Sequence, residues 1–277
     1  MKKFLGKGAG FILGAIAMCG VIGAGPAVAG DKISITGSTT VLPIAQKAAE
    51  DYMKKHPDVN ISVAGTGSGD GVKAIIDGSV DIGDSSRDMK DKEIQHAKEK
   101  GVTPVKHVVA FDCIVPVVNP DNPVSEVTTQ QLRDIYNGKI KNWKEVGGHD
   151  KPIVAVSRDT SSGTFEVWEE KILQKDKVRP DAQLQASNGA VAQAVAGNKY
   201  AIGYVGIGYL NPKLKGLKVN GVVATEEAAK KKTYPVAREL FMFTKGEPTG
   251  PVKSFLDFVK SAEGQKIVKE EGFCPIN

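Results

Sequence analysis

The 277-residue chain is poor in the residues from which most catalytic and metal centres are built. Three cysteines and four histidines are spread along it, and His56, His96, His107 and His149 show neither H-E-x-x-H nor any other metal-ligand spacing. They read as surface or packing residues, and no metal is expected. No serine sits in G-x-S-x-G, so a nucleophile elbow is unsupported. Gly67-Ser68-Gly69-Asp70-Gly71 lacks both Walker spacing and a complete dinucleotide fingerprint. With no activated nucleophile and no metal cluster, a hydrolase has nothing to work with, and neither enzyme activity nor a cofactor is expected. Aromatic residues make up 6% of the chain, and Trp143 and Trp168 read as packing residues. No basic stretch is interleaved with aromatics, which argues against nucleic acid as a partner. Lys230-Lys231-Lys232 reads as a solvated helix face. There is no tandem repeat and no low-complexity segment.

A long hydrophobic run is also missing. Phe11 to Ile22 is apolar but short and glycine-rich, a poor membrane span. With Lys2, Lys3 and Lys7 before it and Ala27-Val28-Ala29 after it, it has the pattern of a cleaved signal peptide over residues 1–29. Lipid anchoring at Cys19 fits less well, because bulky Met18 precedes that cysteine. The leader holds three of the five net positive charges, so the exported protein is close to neutral. It retains Cys113 and Cys274, and an oxidising compartment permits either a bridge or two free thiols.

What is present is an alternation of short apolar strands with helical patterns. Ile33 and Ile35 alternate in a strand over 32–36, and Ala45, Ala48, Ala49 and Tyr52 form a helical stripe after it. Strands follow at 59–63 and 80–82, a polar helix at 90–100, and strands at 105–110 and 113–118. A second series runs through a helix at 130–136, a strand at 153–156, helices at 165–174 and 190–196, and a strand at 201–204. The chain ends with a strand at 240–244 and a helix holding Phe255, Phe258 and Val259 inward. Repeated β-α-β alternation predicts an α/β fold with mainly parallel sheets. Two such series predict two lobes, residues 30–112 with 238–277 and residues 113–237. The chain would cross between them near Asp112 to Pro116 and again near Tyr234 to Glu239.

Three loops share one design, a strand followed by small hydroxyl and glycine residues and then a helix start. They are Gly37-Ser38-Thr39-Thr40, Gly65-Thr66-Gly67-Ser68-Gly69-Asp70-Gly71 and Arg158-Asp159-Thr160-Ser161-Ser162-Gly163-Thr164. A fourth stretch, Asp84-Ser85-Ser86-Arg87, follows a short strand. Free N–H groups and a partial positive charge at a helix N-terminus suit an oxyanion, and Ser/Thr hydroxyls add donors. Arginine supplies charge and a planar fork. Taken singly, each loop is ordinary capping chemistry, and Arg158 could pair with Asp159 or Arg87 with Asp88 or Asp84. Their convergence beyond the strands' carboxyl ends is what points to a tetrahedral oxyanion.

These motifs resemble the phosphate-binding protein of ABC-type phosphate importers. The likeness rests on Gly37 to Pro43, Gly67 to Lys73, Asp81 to Arg87, Arg158 to Thr164 and Ala201 to Val205, and ends with Gly272 to Ile276. It spans the exported chain in family order. The resemblance implies a type II periplasmic-binding-protein fold whose lobes close over phosphate, a monomer that serves permease subunits in the membrane. It implies contacts from Thr39 and the backbone at Thr40, from Ser68, and from Arg158, Ser162, Gly163 and Thr164; the loops themselves add Ser38, Ser86 and Arg87 as candidate phosphate ligands. Where well-described members carry an acidic proton acceptor, this chain has Ser86, and Asp84 is the nearest substitute. Sulfate, molybdate and tungstate therefore stand as alternative ligands, with a phosphoester hydrolase or a surface adhesin behind them.

Overall fold

The computed structural model describes residues 30–277, and the leader expected over 1–29, Cys19 included, lies outside them. Eleven strands are formed: β1 Asp31–Gly37, β2 Val59–Gly65, β3 Ile82–Ser85, β4 Val105–Val118, β5 Glu126–Val127, β6 Val154–Arg158, β7 Gln183–Gln185, β8 Ala201–Gly206, β9 Lys215–Gly216, β10 Lys218–Val219 and β11 Ala237–Thr244. The α-helices are α1 Leu42–Lys55, α2 Ser68–Asp77, α3 Asp91–Glu99, α4 Thr129–Tyr136, α5 Gly163–Trp168, α6 Asn188–Ala196, α7 Glu226–Lys230, α8 Gly250–Lys260 and α9 Ala262–Glu270.

The main sheet runs β2-β1-β3-β11-β4-β8-β6-β7, with β9 also on β4. Each end is a parallel trio in the same order: β2-β1-β3 in the first lobe and β7-β6-β8 in the second. Between the trios run β11 and β4, antiparallel to each other and to the neighbouring trios. β4 pairs with β11 through Cys113 and with β8 from Ile114 onward, so one continuous strand passes from lobe to lobe. The sequence suggests two strands here. Unbroken pairing through Phe111 and Asp112 joins them into one of 14 residues.

Local chemistry explains the elements. Ile33 and Ile35 alternate inward on β1, and α1 buries Ile44, Ala45, Ala48, Ala49 and Tyr52 against the same face. Pro43 in the first turn and Lys54 and Lys55 in the last suit the two ends of α1. On the opposite face Val72, Ile75 and Ile76 of α2 pack with Phe241 and Phe243 of β11. The second lobe has its own core, in which Trp168 stacks on Tyr204 at 4.2 Å and Tyr136 meets both edge-on. The helix expected over 165–174 forms in two parts, α5 and a π-helical turn at Glu169–Leu173. Lys230 and Lys231 pair with Glu226 and Glu227 one turn earlier.

Strand order fixes where a site can form. In a 2-1-3 parallel trio the first strand and its neighbours send their following loops to either side, leaving a crevice beyond the carboxyl ends. Both lobes have that order, and their two crevices face each other.

Candidate functional site

Ser38, Thr39 and Thr40 follow β1, Ser68 opens α2, and Ser86 follows β3. From the other lobe Arg158 ends β6, and Ser162, Gly163 and Thr164 open α5. All are buried, none of the side chains of Ser38, Thr39, Thr40, Ser68, Ser86, Arg158, Ser162 and Thr164 being more than 4% exposed. A row of hydroxyls is inside the molecule because the lobes are shut on one another.

The contact between loops is backbone-close. Gly69 N–H donates to Ser161 O at 2.9 Å, and the Thr40 and Thr164 hydroxyls lie 3.0 Å apart across the lobes. Two glycines make this approach possible. Gly67 sits at φ 124°, and a Cβ there would stand 2.3 Å from Ser161 Oγ. A Cβ on Gly163 would stand 2.4 Å from Ser68 Oγ and 2.9 Å from Ser86 Oγ.

Ser38 Oγ accepts from the Thr40 and Val41 N–H groups at 3.1 and 3.4 Å in the turn before α1, so the Thr40 N–H is engaged within that turn. Ser162 Oγ accepts from Phe165 N–H at 3.1 Å. Ser68 Oγ accepts from Ser86 N–H at 3.0 Å and lies 3.1 Å from Ser86 Oγ. None of these hydroxyls bonds a carboxylate.

Arg158 is tethered and incompletely used. Its Nε donates to Gln185 O at 2.9 Å and its Nη2 to Ala186 O at 3.0 Å, while Asp159 stays 3.7 Å away. Nη1 is buried without a hydrogen-bond partner. Burial pushes the guanidinium pKa down, with Asp159 offsetting part of it. A guanidinium keeps its proton regardless, so the fork holds positive charge inside the closed cleft.

Arg87 is not brought to this group. Its Nη1 and Nη2 grip Glu93 bidentately at 2.7 and 2.8 Å, and its Nε lies 2.5 Å from Glu166 Oε2 of the other lobe. Lys90 Nζ reaches the same oxygen at 2.7 Å. Two carboxylates on neighbouring elements outbid the cleft for this arginine, which becomes a tie between lobes. A neighbouring cleft of about 640 Å³ is lined by Arg87, Lys90, Glu166, Lys232 and Arg238.

Three residues of the site gave no motif signal in the sequence. Asn188 Nδ2 donates to Thr39 Oγ1 at 3.1 Å and to Thr40 Oγ1 at 3.0 Å, from the first turn of α6. Tyr209 donates its hydroxyl proton to Thr39 O. Arg238, at the start of β11, pairs with Asp112 at 2.7–2.8 Å and donates to the Thr40 and Thr164 hydroxyls and to Ser86 O. Burial disfavours both charges of the Arg238–Asp112 pair, and each offsets part of the other's penalty. Asp112 is further held by Ile207 N–H at 2.8 Å. Asp84, buried beside the Gly37 turn, has Oδ1 without a partner, and burial raises its pKa well above the usual carboxylate range.

Among the described residues, no group of three or more His, Cys, Asp or Glu could hold a metal, and no helix is long and apolar enough to cross a membrane. Cys113 and Cys274 are both buried free thiols.

Two facing 2-1-3 trios, two antiparallel crossing strands and a cleft between them define a type II periplasmic-binding-protein fold. The family model of the PBP superfamily domain matches residues 23–263. The phosphate-binding protein PstS of Bacillus subtilis is 36% identical over 251 residues, covering 90% of this chain and 82% of that protein. PstS of Borreliella burgdorferi is 34% identical, covering 88% and 90%. A crystal structure from Clostridium perfringens, described as a phosphate ABC transporter substrate-binding protein with bound phosphate, superposes with a TM-score of 0.83. It is 38% identical, covering 89% of this chain and 100% of that one. An ABC-type phosphate transport receptor from Vibrio cholerae gives 0.73 at 33% identity, covering 87% and 99%. The chain belongs to the PstS-like family of phosphate-binding proteins within the PBP superfamily.

Proposed function

We propose that this protein captures inorganic phosphate outside the cytoplasm and delivers it to the permease subunits of an ABC importer. The single observation that carries this reading is the buried, unpartnered Nη1 of Arg158, from a loop whose neighbours Ser162 and Thr164 are buried and, like Thr39 and Ser68, bond no carboxylate. A buried, unpartnered charged donor is costly unless it meets an anion rich in acceptors, which a tetrahedral oxyanion supplies. Thr39, Ser68, Ser162, Gly163 and Thr164 complete the proposed contacts, with Ser38 and Thr40 in support. Arg87 acts in this scheme as a lobe tie.

The lobes comprise residues 30–112 with 238–277 and residues 113–237, and they close about the two crossings. Ligand binding favours the closed arrangement because only there do both lobes reach the anion. The protein performs no chemistry, acts as a monomer and reaches the periplasm through cleavage of residues 1–29. Names and bound ligand of the relatives at 33–38% identity support the choice of phosphate. A second reading keeps the fold and changes the anion, because Ser86 offers a hydroxyl where a carboxylate would accept the proton of hydrogen phosphate.

Calorimetric titration with phosphate, repeated with sulfate as competitor from pH 5 to 8, tests the proposal. Phosphate binding that sulfate displaces only at large excess supports it. Preference for sulfate or molybdate would move the protein to the second reading.

A further inference from the structure

Asn188 is wholly buried at the junction of the lobes, and its amide orientation is fixed. Its Oδ1 accepts from Gly206 N–H at 3.1 Å, which turns Nδ2 toward Thr39 and Thr40. An amide nitrogen and a guanidinium can only donate. Thr40 Oγ1 therefore accepts twice, from Asn188 Nδ2 at 3.0 Å and from Arg238 Nη2 at 3.2 Å. With both lone pairs engaged, its own proton has one place to go, the Thr164 hydroxyl at 3.0 Å.

Thr164 Oγ1 then accepts from Thr40 and from Arg238 Nη2 at 3.1 Å. Its lone pairs are also engaged, and its proton is left to donate outside the network. Thr39 Oγ1 accepts twice from Asn188, from Nδ2 at 3.1 Å and from the backbone N–H at 3.4 Å, and is likewise left with a proton to give. A hydroxyl can ordinarily face either way, so two of them become committed donors only through this chain of contacts.

We propose that Asn188 and Arg238 are positioning residues that set the direction of the Thr39, Thr40 and Thr164 hydroxyls, so that Thr39 and Thr164 present only donors to the anion. The proposal rests on the phosphate-binding reading above. It also links recognition to closure, because the donor direction of Thr39 and Thr40 is set by an amide from the opposite lobe. In the open form these hydroxyls rotate freely, and the donors are pre-set only as the lobes meet.

The test is a set of double-mutant cycles read by calorimetry with inorganic phosphate. Asn188→Ala is expected to weaken binding about tenfold in the parent, a typical result of releasing buried hydrogen-bonding groups. In the Thr164→Val and Thr39→Val backgrounds the same change is expected to cost markedly less, about threefold or under, because its target is gone. Equal losses in all three backgrounds would overturn the proposal, since a merely structural Asn188 would cost the same everywhere. Should the alanine variant unfold, Asn188→Asp keeps the shape and exchanges two donors for acceptors. It is expected to bind phosphate at least about a hundredfold more weakly at neutral pH. Affinity within about threefold of the parent would equally refute the assignment. A parent protein that binds no phosphate at all would instead overturn the underlying reading.

Discussion

Replacing Arg158 by methionine separates binding from folding. The guanidinium makes two hydrogen bonds to the carbonyls of Gln185 and Ala186, at 2.9 and 3.0 Å, and leaves Nη1 buried without a partner. Removing it orphans two carbonyls, at about 1 kcal/mol each. It also removes a buried charge that Asp159, 3.7 Å away, pairs only loosely. These effects oppose one another, so ligand-free stability is expected to change by no more than about 1 kcal/mol. Binding has no such compensation. Nη1 can give one or two charge-assisted bonds worth roughly 1.5–3 kcal/mol each. An affinity loss of about 2–4 kcal/mol follows, or about thirty- to a thousandfold. Calorimetry with phosphate and thermal unfolding without it, on the same sample, give both numbers. A variant that unfolds early would mean that Arg158 is structural. Affinity within about fivefold of the parent would remove it from the site.

Other perturbations follow from the same geometry. Glu166→Gln removes the negative charge that Arg87 and Lys90 share across the lobes, and is expected to weaken phosphate binding about fivefold through faster release; stopped-flow rates unaltered in release would contradict the tie. Asp84 carries a raised pKa, so its stabilising protonated form is kept at acid pH and lost as pH rises above the ordinary range near 4. The stability of Asp84→Asn relative to the parent should therefore rise between pH 4 and pH 7 in denaturant titrations, and a pH-independent difference would refute this. Burial pushes the Cys113 thiol up and the Cys274 thiol up to about 12, so neither should react with a thiol reagent in the native leaderless protein, and both should react in denaturant without reductant. A total of zero would mean a disulfide.

The parts that sequence made legible are local ones. Ser/Thr/Gly loops after strands can be read because a cap, a glycine turn and a following helix lie within a few residues of each other. The stripe on α1 and the strand alternation are legible for the same reason. Asn188, Tyr209 and Arg238 were invisible because each meets Thr39, Thr40 or Thr164 only through tertiary closure, from 74 to 198 residues away. No turn or cap signal marks such a contact. Arg87 shows the converse. Its position after a strand beside Ser86 resembles an anion ligand, yet Glu93 and Glu166 hold it, and only one of those is near in sequence. The joined strand β4 was hidden because an antiparallel partner 126 residues on keeps Asp112 in register.

A crystal structure of the leaderless protein grown with phosphate would show directly whether Arg158 and the buried hydroxyls hold the anion. One tetrahedral anion is expected between the lobes, with an oxygen at about 2.9 Å from Arg158 Nη1 and others within hydrogen-bond reach of the Thr39, Ser68, Ser162 and Thr164 hydroxyls. Phosphate held instead by Arg87 and Lys90 in the neighbouring cleft, with Arg158 Nη1 still unpartnered, would contradict it.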